Sequence, residues 1–229
     1  MKLIKPRKFK LLALVFTLLF IGVFTASIGV VSVAVKSLKT YKIVIDAGHG
    51  GIDGGCVGSS KESVESELNL LIAKELESTL LSCGFSVFLT RDGNYGLYGT
   101  EEPGFKLRDL KKRVEITKEI SPNIFISIHL NKYISQSRRG AQVFYKINDK
   151  ISKNLATKIQ NRLNLLPESK RMYDALIGDY FILNENTCPS VIVECGFLSN
   201  PEEEKLLLTK NYRQKLAKSI CDGIVDYLS

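Results

Sequence analysis

KIVIDAGHGGIDGG, residues 42–55, decides the fold. The β-branched run of residues 42–46 stops at a stretch holding glycines at 48, 50, 51, 54 and 55, the pattern of a buried strand opening into a loop. A helix is expected next, because Val64, Leu68, Ile72, Leu76 and Leu80 recur every four residues between Glu62 and Ser82, and Gly84 sits where a left-handed cap is wanted. Working outward, FSVFL (residues 85–89) predicts a second strand. The aperiodic, Gly- and Tyr-rich residues 92–105 predict a loop. A second helix is expected from about Lys106 to Ile120 with Leu107, Leu110, Val114 and Thr117 inward, ended by Pro122. IFISI (124–128) and residues 141–145 predict strands three and four, and Ile151, Leu155, Ile159 and Leu163 mark a third helix. Residues 180–183 and 190–193 supply two further strands. Pro201 opens a helical C-terminal region whose last helix carries Leu216, Ile220, Ile224 and Tyr227 on one face. Strands alternating with helices predict a single three-layer α/β domain over residues 42–229, with a six-stranded, mostly parallel or mixed sheet flanked by helices.

What precedes this domain differs in kind. Residues 1–10 hold five cations and no acid, and residues 11–35 (LLALVFTLLFIGVFTASIGVVSVAV) contain no Asp, Glu, Lys or Arg. A helix needs about 20 such residues to cross a bilayer, and the basic flank places its start in the cytoplasm. The run is longer than the apolar core of a typical signal peptide, so a retained transmembrane anchor is favoured over cleavage near Thr25-Ala26-Ser27 or Ser32-Val33-Ala34. Either way, after a linker at 36–41, the α/β domain is expected to lie outside the cytoplasmic membrane. The formal charge of +8 falls to +3 once residues 1–35 are set aside, which gives no support to a nucleic-acid partner. Five cysteines (56, 83, 188, 195 and 221) form no CxxC pair and no even framework. Most are expected to be small buried hydrophobes, with a Cys188–Cys195 disulfide as the alternative.

The chain has two histidines, and both sit at strand ends. His49 follows KIVID within DAGHGG, and His129 follows IFISI within SIHLN. Reactive groups collect at the C-terminal ends of strands in such sheets, and neutral imidazole is the commonest zinc ligand. A hydrolytic zinc takes three protein ligands and leaves the fourth position to water, so a third ligand is needed. Glu62, Glu65 and Glu67 in the first turn of the first helix are candidates, and spacing alone does not choose among them. Glu194 follows four apolar strand residues in VECGFLSN, where partial desolvation suits a working acid or base. Nucleotide binding is disfavoured: the glycine-rich segment lacks the Lys-Ser/Thr of a P-loop and carries Asp53 where a third dinucleotide-binding glycine belongs.

Four segments taken in order, DAGHGGIDGG (46–55), ESELNL (65–70), FISIHLN (125–131) and PSVIVECGFLSN (189–200), resemble the zinc-dependent N-acetylmuramoyl-L-alanine amidases of the Amidase_3 type. The resemblance implies that His49, Glu65 and His129 bind Zn2+ and that Glu194 is the catalytic carboxylate. Glu65 is preferred to Glu67 because it matches the first acid of the family's E-x-x-x-N-L pattern. The implied reaction is hydrolysis of the amide between N-acetylmuramic acid and L-alanine in peptidoglycan, which lies outside the membrane to which the chain is directed.

Three departures from the family pattern stand out. Gly54 replaces a frequent proline, Cys56 and Cys195 replace aliphatic residues, and neither wall-binding repeats nor a segment for a blocking helix is visible. Alternation along the strand turns the Cys195 sulfur away from the metal. Targeting or activation is then left to the anchor or to an exported activating partner protein. A single membrane segment feeding a bare catalytic domain is similar to the sporulation amidases that prepare spore cortex for muramic-δ-lactam formation and germination. The competing readings are an inactive glycan-binding or regulatory module and a zinc peptidase acting within the stem peptide.

Overall fold

The KIVID run forms β1 (Lys42–Ala47), whose residues 43–47 are all buried. Burial on both faces is what a strand experiences when helices cover both sides of a parallel sheet. The computed structural model describes residues 41–229, so the basic segment 1–10, the membrane or signal segment 11–35 and the linker up to residue 40 lie outside the described residues. Among the described residues no helix is long and apolar enough to cross a membrane.

The elements that follow are α1 (Glu65–Ser82), β2 (Ser86–Leu89), α2 (Phe105–Ile120), β3 (Ile124–Asn131), β4 (Gln142–Tyr145) and α3 (Lys150–Asn164). After them come β5 (Leu176–Ile177), α4 (Phe181–Glu185), β6 (Ser190–Phe197), α5 (Pro201–Leu208) and α6 (Lys210–Leu228). Gly84 takes the left-handed conformation after α1 at φ 88°, as its position in the sequence predicts. The six strands lie in the order β2-β1-β3-β6-β4-β5; β4 runs antiparallel to β6, while β1–β2, β1–β3, β3–β6 and β4–β5 are parallel.

Alternation along the strands divides the core in two. Ile43, Ile45, Ile126, Ile128, Val191 and Val193 join the large cluster with α1, α3 and α6. Val44, Phe125 and Ile192 join a smaller one with Val114 of α2 and Ile182 and Leu183 of α4. Continuing the period of two, Asp46, Ser127, His129 and Glu194 share the side of the second cluster.

Four expectations are corrected. Residues 180–183 are not a strand: Phe181–Glu185 is the short helix α4, and the fifth strand is instead Leu176–Ile177 on the exposed sheet edge. A four-residue apolar run fits a buried helical turn as well as a strand, and here it closes the second cluster. Leu107, expected inward, is exposed in the first turn of α2. Finally, β3 and β6 run on through His129 and Glu194 rather than ending before them, so these two residues are register partners on adjacent strands. Only Cys195 and Cys221 of the five cysteines are buried, so most are not the buried hydrophobes expected; all five are free, and the alternative Cys188–Cys195 disulfide is absent.

Candidate metal centre and active site

The sheet reverses its winding between β1 and β3, and the crevice at such a point lies beyond the strand C-termini. His49 enters from the loop after β1, His129 from the end of β3, and Glu65 from the first turn of α1. One ligand atom from each of the three lies within 4.8 Å of the other two. His49 Nε2 is 3.2 Å and His129 Nδ1 3.0 Å from Glu65 Oε1, and the two rings meet edge to face with centroids 5.0 Å apart. Glu62, expected in the first turn, instead lies three residues before α1 begins at Glu65, and neither it nor Glu67 is in this cluster.

Each ligand is held by neighbours. His49 Nδ1 is 2.9 Å from Asp53 Oδ2, which is itself paired with Lys106, so the ring's Nε2 is left facing Glu65. A carboxylate on the far ring nitrogen is the usual orienting partner of a metal-binding histidine. Glu65 is buried and accepts the Cys56 N–H at 2.8 Å and the Leu130 N–H at 3.2 Å, and Asn69, one turn along α1, donates to it at 3.4 Å. Gly48 is required because a Cβ there would stand 2.2 Å from the His129 ring. His49 itself adopts a left-handed φ of 62°.

Two buried arginines that the sequence reading did not single out fix the loop backbone from behind. Arg91 donates to the carbonyls of Ala47, Gly48, Ser66 and Gly93. Arg113 donates to the carbonyls of Ala47 and His49 and pairs with Asp46 and Asp109. Burial opposes ionisation of Asp46, yet Arg113 beside it and the hydroxyls of Ser127 and Thr90 hold its carboxyl below the usual range. The sequence signal was present in Arg113, a cation at an inward position of α2 next to Val114 and Thr117. Four carbonyl contacts to residues 47–49, with two more tying Arg91 to Ser66 and Gly93, account for how a glycine-rich loop keeps one shape.

The electrostatics of the cluster is that of a cation site. Burial works against the Glu65 carboxylate, but the two imidazoles hold it far below the ordinary carboxylate range. Burial lowers the His49 pKa, and Glu65 and then Asp53 outweigh it, raising the group to about 9. Glu194 differs. Burial pushes its carboxyl up to about 7, against the pull of the imidazoles, and its Oε2 is sealed from solvent with no hydrogen-bond partner. An unpaired buried carboxylate oxygen is costly unless it meets a proton or a cation. Two imidazoles, one carboxylate and an adjacent unpaired acid therefore fit a divalent, borderline-soft ion with an open position. Cys195, next to Glu194, is fully buried with its sulfur toward the Val193 carbonyl and takes no part in the cluster.

Comparison with known proteins places the whole domain in a family. Residues 43–226 match the N-acetylmuramoyl-L-alanine amidase family, Amidase_3. The germination-specific N-acetylmuramoyl-L-alanine amidase of Bacillus subtilis is 35% identical over 195 residues, spanning 82% of this chain and 79% of its own length. The amidase AmiA of Escherichia coli is 29% identical over 238 residues, spanning 85% and 78%. Among solved structures, the CwlD amidase of Clostridioides difficile, in complex with the GerS lipoprotein, superposes with a TM-score of 0.80 at 38% identity, over 82% of this chain and 98% of that one. The chain thus belongs to the Amidase_3 family of N-acetylmuramoyl-L-alanine amidases, enzymes that act on peptidoglycan.

Proposed function

We propose that the protein is a zinc-dependent amidase that releases stem peptides from spore-cortex peptidoglycan, as a step toward the muramic-δ-lactam needed for germination. The observation that carries this reading is the convergence of His49, Glu65 and His129, each from a different element, beside the unpaired carboxyl of Glu194. Bound by the first three, zinc supplies Lewis acidity and makes water a nucleophile near neutral pH. Glu194 acts on protons: it takes one from the attacking water and returns it to the L-alanine nitrogen as the amide breaks. A carboxyl with a pKa raised toward neutrality suits both halves of that task. Asp53 keeps the His49 tautomer, and Arg91 and Arg113 keep the loop that presents it.

The cortex assignment is supported by similarity to the germination-specific enzyme of Bacillus subtilis and to CwlD. The second of these is found with a lipoprotein, which supports an exported activating partner for this chain as well. Residues 11–35 serve in this reading as the membrane anchor that holds the domain outside the cytoplasm. Mass analysis of muropeptides after digestion by the full chain tests the activity. The expected products are intact stem peptides beginning with L-alanine and peptide-free muramic acid. Shortened stems still attached to glycan would show a peptidase, and an undigested wall would show a binding module. Faster digestion of cortex than of vegetative wall is the expected preference, and the reverse order contradicts the cortex assignment.

A further inference from the structure

Away from the metal centre, two thiols meet. Cys83 ends α1 and Cys221 lies within α6; they are 138 positions apart in sequence, yet their Sγ atoms are 3.4 Å apart. A disulfide needs about 2.0 Å, so the two sulfurs must close by about 1.4 Å. The other three sulfurs contact oxygen instead: Cys56 the Leu130 carbonyl, Cys188 the Ser190 hydroxyl and Cys195 the Val193 carbonyl. Cys83 is half-buried and Cys221 buried, so a reagent reaches the pair from the Cys83 side. Lys218, one turn before Cys221 and paired with Asp222, lies near both sulfurs. Burial and the neighbouring Cys83 push the Cys221 thiol up to about 12, and the more exposed Cys83 is the sulfur a donor meets first.

We propose that Cys83 and Cys221 are a disulfide-forming site that fastens the C-terminal end of α1 to the terminal helix α6. The oxidant is a donor disulfide, small-molecule or protein. The Cys83 thiolate attacks one donor sulfur, forming a mixed disulfide and expelling a donor thiolate. Cys221 gives its proton to solvent and attacks the Cys83 sulfur, expelling the second donor thiolate. Two cysteine thiols are oxidised by two electrons, and one donor disulfide is reduced to two thiols. A domain that works on peptidoglycan outside the cytoplasm meets such oxidants. The bond encloses the chain segments carrying His129 and Glu194 but joins α1 at the end opposite Glu65, so it constrains unfolding and leaves the site geometry alone.

The test uses the full chain, reduced and then incubated with oxidised glutathione. Thiols titrated in denaturant are expected to fall from five to three, and a non-reducing peptide map to join the Cys83 and Cys221 peptides. The thermal midpoint should rise by about 5–10 °C and return on reduction. Cys83→Ser and Cys221→Ser should each remove the link and the thermal response. Five titratable thiols after oxidation, glutathione held on Cys83 without a link, a link between another pair, or a link that leaves the midpoint unchanged would overturn the proposal. The peptide map is read on the unmodified sequence and needs neither variant to fold nor any amidase activity.

Discussion

At the residue scale, the site depends on side chains that fill space as tightly as they carry charge. Gly48 is the sharpest case, since the position of a Cβ there is already occupied by the His129 imidazole at 2.2 Å. Gly48→Ala should displace that ring, lower zinc stoichiometry from about one to well below half, and reduce kcat by about 100-fold or more, with secondary structure unchanged by circular dichroism. Full zinc occupancy and activity in that variant would show that the ring has room to move. His49 supports a second prediction. Its pKa of about 9 means that at pH 7 the metal-free ring carries a proton held between Glu65 and Asp53. Zinc must displace that proton, so binding should release about one proton per zinc from this group at pH 7, and affinity should fall as pH drops below about 9. Calorimetry in two buffers of different ionisation enthalpy measures the release; no buffer dependence would contradict it.

At the element scale, the short helix α5 acts as a hub for the loops around the metal. Its N-terminus is capped by Asn200, with Pro201 at the first position. Glu203 then accepts the Gly140 and Phe197 N–H groups, while Glu204 accepts hydroxyls from Ser59, Ser60 and Ser63 and the Ser60 N–H. This ties the segment leading into α1, and so Glu65, to the C-terminal helices. Burial opposes the Glu204 charge, but the three serines overcome it and lower its pKa from 4.5 to about 2. A depressed carboxyl pKa contributes stability that is present above about 4.5 and lost as pH falls toward 2. Glu204→Gln should therefore cost about 1–3 kcal/mol at neutral pH, with the difference from the natural protein shrinking through that acid window. Denaturant titrations at pH 7 and pH 3 measure it, and an unchanged difference at both would remove Glu204 from this role.

At the scale of the whole molecule, the sequence exposes what repeats and hides what is assembled from distant parts. The strands of the sheet core, the four-residue period of α1 and the stop at Gly84 were readable because each is a local pattern under one physical rule. The α4 segment was not, because four apolar residues satisfy a strand and a buried turn equally, and only the cluster of Val44, Phe125 and Ile192 beneath it decides. The site divides in the same way. His49, His129 and Glu194 showed themselves by position relative to strands, whereas Glu65 could be chosen among three acids only by resemblance until the fold placed it between the imidazoles. Arg91 went unread because its partners are backbone carbonyls, which leave no trace in side-chain spacing, and Arg113 because Asp46, one of its two carboxylate partners, is distant in sequence. The residues thus brought together define the account's central claim, that Glu194 moves the proton while His49, Glu65 and His129 hold the ion. The most direct test is Glu194→Gln in the full chain, assayed for bound zinc and for stem-peptide release on the same preparation. About one zinc per chain with release reduced by at least about 100-fold is the expected result; release near the natural rate with zinc retained would rule out this role for Glu194.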